Sequence, residues 1–268
     1  MRFKILLFLA LGLVLSVPFL LREQRDQATP DEVLVVIAPH TEAVRYEFSN
    51  GFEKWYRQKR GRSVAIDWRV IGGTNEIVYY VNSSYLSAFR YYWETQLGRK
   101  WNLIVQESFG NHLVEPGPDP QADTLAESAR RAFLNSRIGI GMDVMFGGGV
   151  TDYVLQAQPG HLVDSGLLGL HPEWFGGENG IPQTFSGDEF WDLQGRWVGT
   201  ALNLFGIAYN TDSLQRLGYP GRPERWEDLA DPHFWGEVAL SDPTKSGAVA
   251  KAYEMVVQYK IQQARLSL

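Results

Sequence analysis

The run "VLVVIA" at residues 33–38 does most to limit the folds open to this chain. Its apolarity is continuous, not alternating, so a strand here is covered on both faces. A turn, Pro39-His40-Thr41, follows, and residues 42–60 then place Val44, Phe48, Phe52, Trp55 and Tyr56 on one helical face. Thr41 is a suitable helix cap, Glu42 suits the first turn and Gly61 the residue past the end. "SVAIDWRV" at residues 63–70 alternates Val64, Ile66, Trp68 and Val70 with smaller or polar residues, which predicts a second strand. Gly72-Gly73 turns the chain, and Thr74 caps a helix through Ile77, Tyr80 and Val81. The order strand–helix–strand–helix predicts an α/β fold with a mainly parallel sheet.

Further along the signals are mixed. Residues 82–140 are less regular: "YLSAFRYYWETQLGRKW" is aromatic and partly helical, "VEPGPDPQAD" reads as a loop and "TLAESARRAFLN" as a helix. "IGMDVMF" at residues 140–146 reads as another buried strand. Gly147-Gly148-Gly149 and a helix starting at Thr151 or Asp152 follow it. Residues 165–195 read as irregular surface, and 196–210 as extended and apolar. Val238-Ala239-Leu240 reads as a short strand before the corner Asp242-Pro243-Thr244-Lys245-Ser246-Gly247. The last helix begins with Ser246 as its cap and buries Val249, Ala252, Tyr253 and Val256. The aromatic pairs Tyr79-Tyr80 and Tyr91-Tyr92 read as core.

Composition excludes several functions. The net charge of −6 with no basic stripe argues against nucleic-acid binding. With no cysteine there is no disulfide, thiolate site, thiol nucleophile or lipidated leader. Arg2 and Lys4 precede the apolar run of residues 5–21, which predicts a secretory leader or an uncleaved signal anchor, with the body outside the cytoplasm. Membrane contact would then run through this segment. "TKSG" lacks the second glycine of a P-loop, and "GIGMDV" precedes a strand where a dinucleotide fingerprint would follow one. There is no G-x-S-x-G elbow and no zinc-type histidine cluster, so no catalytic residue is assigned and no enzyme is expected.

The candidate binding residues sit where strands give way to helices. Gly147 and Gly148 allow close backbone approach after a strand, and His40 lies at the same kind of edge. Thr244 and Ser246 offer hydroxyls, and Gly247 and Ala248 offer first-turn N–H groups to an anion. On local sequence a plain helix cap is the favoured reading of the last group.

Three segments together resemble one family. They are "IAPHTEAVRYEFSNGFEKWY", "DVMFGGGVTDYVLQAQPGHL" and the long stretch from "LFGIAYNTD" through "WEDLADP" to "GEVALSDPTKSGAVAKAYEMV". They resemble periplasmic solute-binding proteins of ABC importers, in the class of ferric-iron, phosphonate and sugar-phosphate binders. The resemblance implies a type 2 periplasmic-binding-protein fold, with two lobes closing on a small anionic solute. It implies an ABC transporter permease as partner and a periplasmic or extracytoplasmic location. Domains would be a leader and linker at 1–29, a first lobe at 30–202 and a partial second lobe at 203–268, because the chain ends before the family's return crossing.

By position, the resemblance assigns ligand binding to His40, Thr41, Gly147, Gly148, Thr244, Ser246, Gly247 and Ala248. His40 matches a histidine that ligates iron in ferric binders, so it is also the candidate metal ligand. Gly147 and Gly148 stand where those binders supply an acidic ligand, which this chain lacks. No resident cofactor is implied. The transported ligand is a ferric ion or complex, or equally an organophosphate or phosphonate. A sensory module of a membrane signalling system is the alternative, and a secreted enzyme stands behind it.

Overall fold

The computed structural model describes residues 29–185, 187–201 and 206–266. The apolar leader of residues 5–21 lies outside them, as do residues 202–205 of the expected crossing between lobes. No helix among the described residues is long and apolar enough to cross a membrane. The described residues fall into two compact units: residues 29–34 with 43–67, and residues 35–42 with those described from 68 to 266.

In the first unit, β1 (Glu32–Ile37) begins, α1 (Glu42–Arg60) carries most of the chain, and β2 (Val64–Arg69) begins. The helix has the bounds its periodicity predicts. Gly61 ends it at φ +67°, its N–H donating to the Arg57 carbonyl at 2.9 Å. Phe52 stacks on Trp55 at 5.7 Å between centroids and lies 5.7 Å from Tyr56. Glu32 accepts from the Tyr56 hydroxyl and pairs with Arg62. Asp31 accepts from the Ser63 N–H at 2.7 Å, tying the start of β1 to the approach to β2.

The sheet has the strand order β2-β1-β3, with β3 at Val144–Met145. β1 and β3 are parallel, in the register Val36 to Val144 and Ile37 to Met145. The buried strand expected at residues 140–146 is thus reduced to Val144–Met145, and Val144 is 41% exposed. Ile37 packs under α2 (Thr74–Tyr91) against Ile77 and Val81.

The partly helical stretch expected at residues 85–101 is helical as far as Gln96. α2 runs to Tyr91 and passes into a π-helical turn, Tyr92–Gln96, where the Leu97 N–H donates to Tyr92 at 3.1 Å. The widened turn turns Trp93 fully inward. It packs with Phe89, α3 (Leu103–Ser108) and α4 (Leu125–Leu134) in a cluster of Phe89, Trp93, Val105, Phe109, Ala129 and Phe133. α4 starts on a reciprocal cap, with the Glu127 N–H donating to Thr124 Oγ1 at 3.3 Å and the Thr124 N–H donating to Glu127 at 2.7 Å. The tyrosine pairs are not core: Tyr79 is 74% exposed and Tyr91 66%. Adjacent helix positions point to different faces, and only Tyr92 of these four packs on the cluster.

α5 (Val150–Ala157) follows the glycine loop. Beyond it lie α6 (Leu167–Leu170) and a short antiparallel pair, β4 (Thr184–Phe185) with β5 (Asp188–Glu189). α7 (Thr211–Leu217) and two 3-10 turns precede α8 (Gly247–Leu266). The strand expected at 238–240 does not form, and 206–210 form none either. Three apolar residues make a strand only beside a partner ladder, and no described strand runs alongside. Without that support α8 buries no residue fully: Val249, Ala252 and Val256 are half-buried, and Tyr253 is exposed.

A polar chain centred on a buried glutamine joins α2, α5 and the turn after α5. Gln156, fully buried, donates to Asn82 Oδ1 at 3.1 Å and meets His161 Nδ1 at 2.8 Å. The His161 ring stacks on Tyr85 at 4.1 Å. Burial, and then the nearby Arg130 charge, push the His161 pKa down to about 4. Neutral His161 therefore stabilises the fold. As pH falls below its ordinary 6.5 the unfolded chain takes up the proton first, and stability drains until about pH 4. At about 1.4 kcal/mol per unit this amounts to roughly 3 kcal/mol. Urea unfolding at pH 7, 5.5 and 4 should show that loss, and His161→Gln should flatten it. An equal slope in the variant would remove His161 as the cause.

Candidate functional site

β1 and β3 are parallel neighbours, so the loops leaving their carboxyl ends emerge side by side. The first brings His40 and the second Gly147 and Gly148. The two glycines take φ +97° and +104°, left-handed backbone that a side chain would strain. They also allow close approach. A Cβ on Gly147 would stand 2.6 Å from His40 Nε2, and one on Gly148 2.7 Å from Thr74 Cγ2. The His40 ring sits edge-on to Phe146 at 4.9 Å, and burial holds its pKa below the ordinary value, favouring neutral imidazole. The Tyr153 hydroxyl lies 3.1 Å from both the Met145 and Gly147 carbonyls and braces the loop from below. Burial pushes its pKa up to about 12.

Two helices start here on the same four-residue pattern. Gly73-Thr74-Asn75-Glu76 opens α2, and the Gly73 N–H donates to Glu76 Oε2 at 2.7 Å. Gly149-Val150-Thr151-Asp152 opens α5, and the Gly149 N–H donates to Asp152 Oδ2 at 2.8 Å. Each acid thus satisfies one orphan N–H of its own helix. Asp152 is only 8% exposed, and burial raises its pKa, partly offset by the Gly149 N–H.

The start of α8 closes the group. Asn75 Nδ2 donates to the Thr244 carbonyl at 2.9 Å, and Gly73 lies so close to the Lys245 carbonyl oxygen that a Cβ would overlap it. A Cβ on Gly247 would lie 3.5 Å from Asp152 Oδ2 and 3.8 Å from Thr74 Cβ. Thr244 folds onto Asp242, with its hydroxyl 2.7 Å and its N–H 2.8 Å from Asp242 Oδ1. Ser246 Oγ accepts the Val249 N–H at 3.3 Å, so Ser246 is the cap that the sequence predicts. Among the described residues, the Gly247 and Ala248 N–H groups are the open donors of this turn.

Of the residues singled out from sequence, contacts link His40 to Gly147, and Gly148 and Gly247 to a common pair, Thr74 and Asp152. Thr244 joins through Asn75. Thr41 and Ala248 are exposed on the chain next to His40 and Gly247. Thr74, Asn75 and Asp152 were not assigned to the site from sequence. The repeated glycine-x-x-acid pattern at 73–76 and 149–152 is the signal that would have found them. Among the described residues no three His, Asp or Glu side chains gather as a metal-ligand set.

This arrangement can hold a small oxyanion on backbone N–H groups at a helix start. The N–H groups of Gly73 before α2 and of Gly149 before α5 bind carboxylates, and Asp152 lies beside the α8 start as well as the α5 start. At the α8 start the donors are the Gly247 and Ala248 N–H groups, with the Ser246 hydroxyl.

Residues 175–265 match the family model described as bacterial extracellular solute-binding protein. The match supports a solute-binding role outside the cytoplasm. It also agrees with the mixed helix and strand content of an α/β binding protein. An uncharacterized protein of Haemophilus influenzae is 35% identical over 66 residues. That stretch is 24% of this chain and spans 19% of the length of the curated relative it matches. No solved structure matches the chain.

Proposed function

We propose that this chain is the extracytoplasmic solute-binding component of an ABC importer, delivering a small anionic solute to a permease. Residues 30–202 and 203–268 would contribute to two lobes that close on the solute. The observation that carries the reading is the start of α8, docked on α2 through Asn75 with its Gly247 and Ala248 N–H groups open. Helix starts favour anions through unsatisfied N–H groups and the helix dipole. The chemistry of those donors suits an organophosphate or phosphonate. A ferric complex is the other cargo class, with His40 as its one nearby imidazole.

Thermal melts with inorganic phosphate, glycerol 3-phosphate, methylphosphonate and ferric citrate test this. A binder present at a hundred times its Kd stabilises the native chain by about 2.7 kcal/mol. Gly247→Asp is expected to weaken phosphate binding at least about tenfold, because it sets a second carboxylate beside Asp152 and the ligand. Unchanged affinity in that variant would remove the α8 start from the site. Stabilisation by ferric citrate alone, lost in His40→Ala, would assign the cargo to iron.

A further inference from the structure

The polar chain Asn82–Gln156–His161 lies below the site, not in it. Asn82 is on α2 about two turns beyond Thr74, and Gln156 is on α5 about one turn beyond Asp152. Thr74 and Asp152 are the two side chains that Gly148 and Gly247 both approach. One hydrogen bond, 3.1 Å from Gln156 Nε2 to Asn82 Oδ1, therefore cross-links the two helices whose starts frame the site. The Gln156 amide is anchored at its other end as well. Since Nε2 donates to Asn82, Oε1 is the acceptor facing His161 at 2.8 Å, which puts the proton on His161 Nδ1. The His161 backbone N–H also donates to the Gln156 carbonyl at 3.0 Å.

The ring itself is clamped. Tyr85 of α2 stacks on it, Phe133 of α4 meets it edge-on at 5.9 Å, and the Tyr85 hydroxyl donates to the His161 carbonyl at 3.0 Å. The charged group near it is Arg130, whose guanidinium donates to the Phe109 carbonyl at 3.0 Å, the Gln158 carbonyl at 3.2 Å and the Pro159 carbonyl. Arg130 thus fixes the backbone on which His161 stands. Gln156 is fully buried, while Asn82 is exposed and His161 half-buried. A relative slide of α2 and α5 breaks the bond to Asn82 and leaves the buried Gln156 amide without that partner.

We propose that Gln156 is a positioning residue. Through Asn82 and His161 it holds α2 and α5 at the spacing that brings Thr74 and Asp152 to the start of α8, and so sets the affinity of a site it does not touch. The affinity half of this rests on the anion reading above, and the spacing half does not.

The two halves are separated by experiment. The chain has no cysteine, so Tyr79→Cys and Thr151→Cys, both exposed, place one nitroxide on each helix of the full chain. Gln156→Met keeps the length of the side chain and removes both hydrogen bonds. It is expected to broaden the nitroxide distance distribution and raise the Kd for inorganic phosphate at least about tenfold. Gln156→Glu is expected to restore both, since its carboxylate accepts from His161 and from the turned Asn82 amide. Asn82→Ala, which leaves the His161 end intact, serves if Gln156→Met does not fold. An unchanged distance distribution in a folded variant overturns the proposal. So does a broadened distribution with unchanged phosphate affinity. If the unsubstituted chain binds no phosphate, the anion reading falls and the distances alone decide the strut.

Discussion

Gly73→Ala is expected to raise the Kd for inorganic phosphate about a hundredfold, or roughly 2.7 kcal/mol, with little change in thermal midpoint. Gly73 has φ −73°, so alanine fits its backbone without strain. The obstacle is outside the residue. The new methyl would occupy the place of the Lys245 carbonyl oxygen, and a backbone atom cannot rotate away as a flexible side-chain tip can. The corner of residues 242–246 must lift from α2, and the Asn75 to Thr244 hydrogen bond goes with it. Residues at this contact are exposed or half-buried, and the Phe89 cluster lies elsewhere, so the melt should move by no more than a few degrees. Titration calorimetry with phosphate, beside a melt of the same variant, reads both quantities. Unchanged affinity would mean that the docked corner is not where the solute binds.

Phe89→Ala is expected to cost about 3–5 kcal/mol of stability in urea unfolding. The ring is fully buried. It stacks on Phe109 at 4.7 Å, meets Phe133 edge-on at 5.5 Å and lies 5.7 Å from Trp93. Its removal leaves a cavity between α2, α3 and α4 that neighbours already in contact with one another cannot all fill. For a domain whose total stability is about 5–15 kcal/mol, that loss populates the unfolded chain near physiological temperature. A loss below about 1.5 kcal/mol would show that the cluster collapses around the gap and is less tightly specified than its ring geometry indicates.

The elements legible in the sequence are those whose signals are local. α1 is delimited by its own aromatic stripe and by Gly61, and α4 by the Thr124–Glu127 cap. Ser246 marks the start of α8 through a bond to a backbone N–H three residues on. The errors fall where distant partners decide. Residues 238–240 have the composition of a strand but no ladder to join. The end of α2 is so dense in aromatics that no single face stands out, and the π-helical turn that settles which ring goes inward has no local code. The site divides the same way. His40, Gly147 and Ser246 stand at strand or helix ends that a periodicity reading locates. Thr74 and Asp152 gain their place only when α2 and α5 come together over the sheet edge, and Gln156, an ordinary polar residue on paper, is recognisable only from its burial.

The hydrogen bond from Asn75 to Thr244 joins residues 169 positions apart, whereas the Phe89 cluster is assembled from one continuous stretch between Tyr85 and Ile138. Closing a longer loop costs more entropy, and contacts of long sequence separation slow folding. The aromatic cluster can therefore consolidate while the region near residue 245 is still loose, and the corner arrives late. Competence to hold a solute becomes a property of the last folding step. An immature chain would already carry most of its buried core and yet have no grip on its cargo.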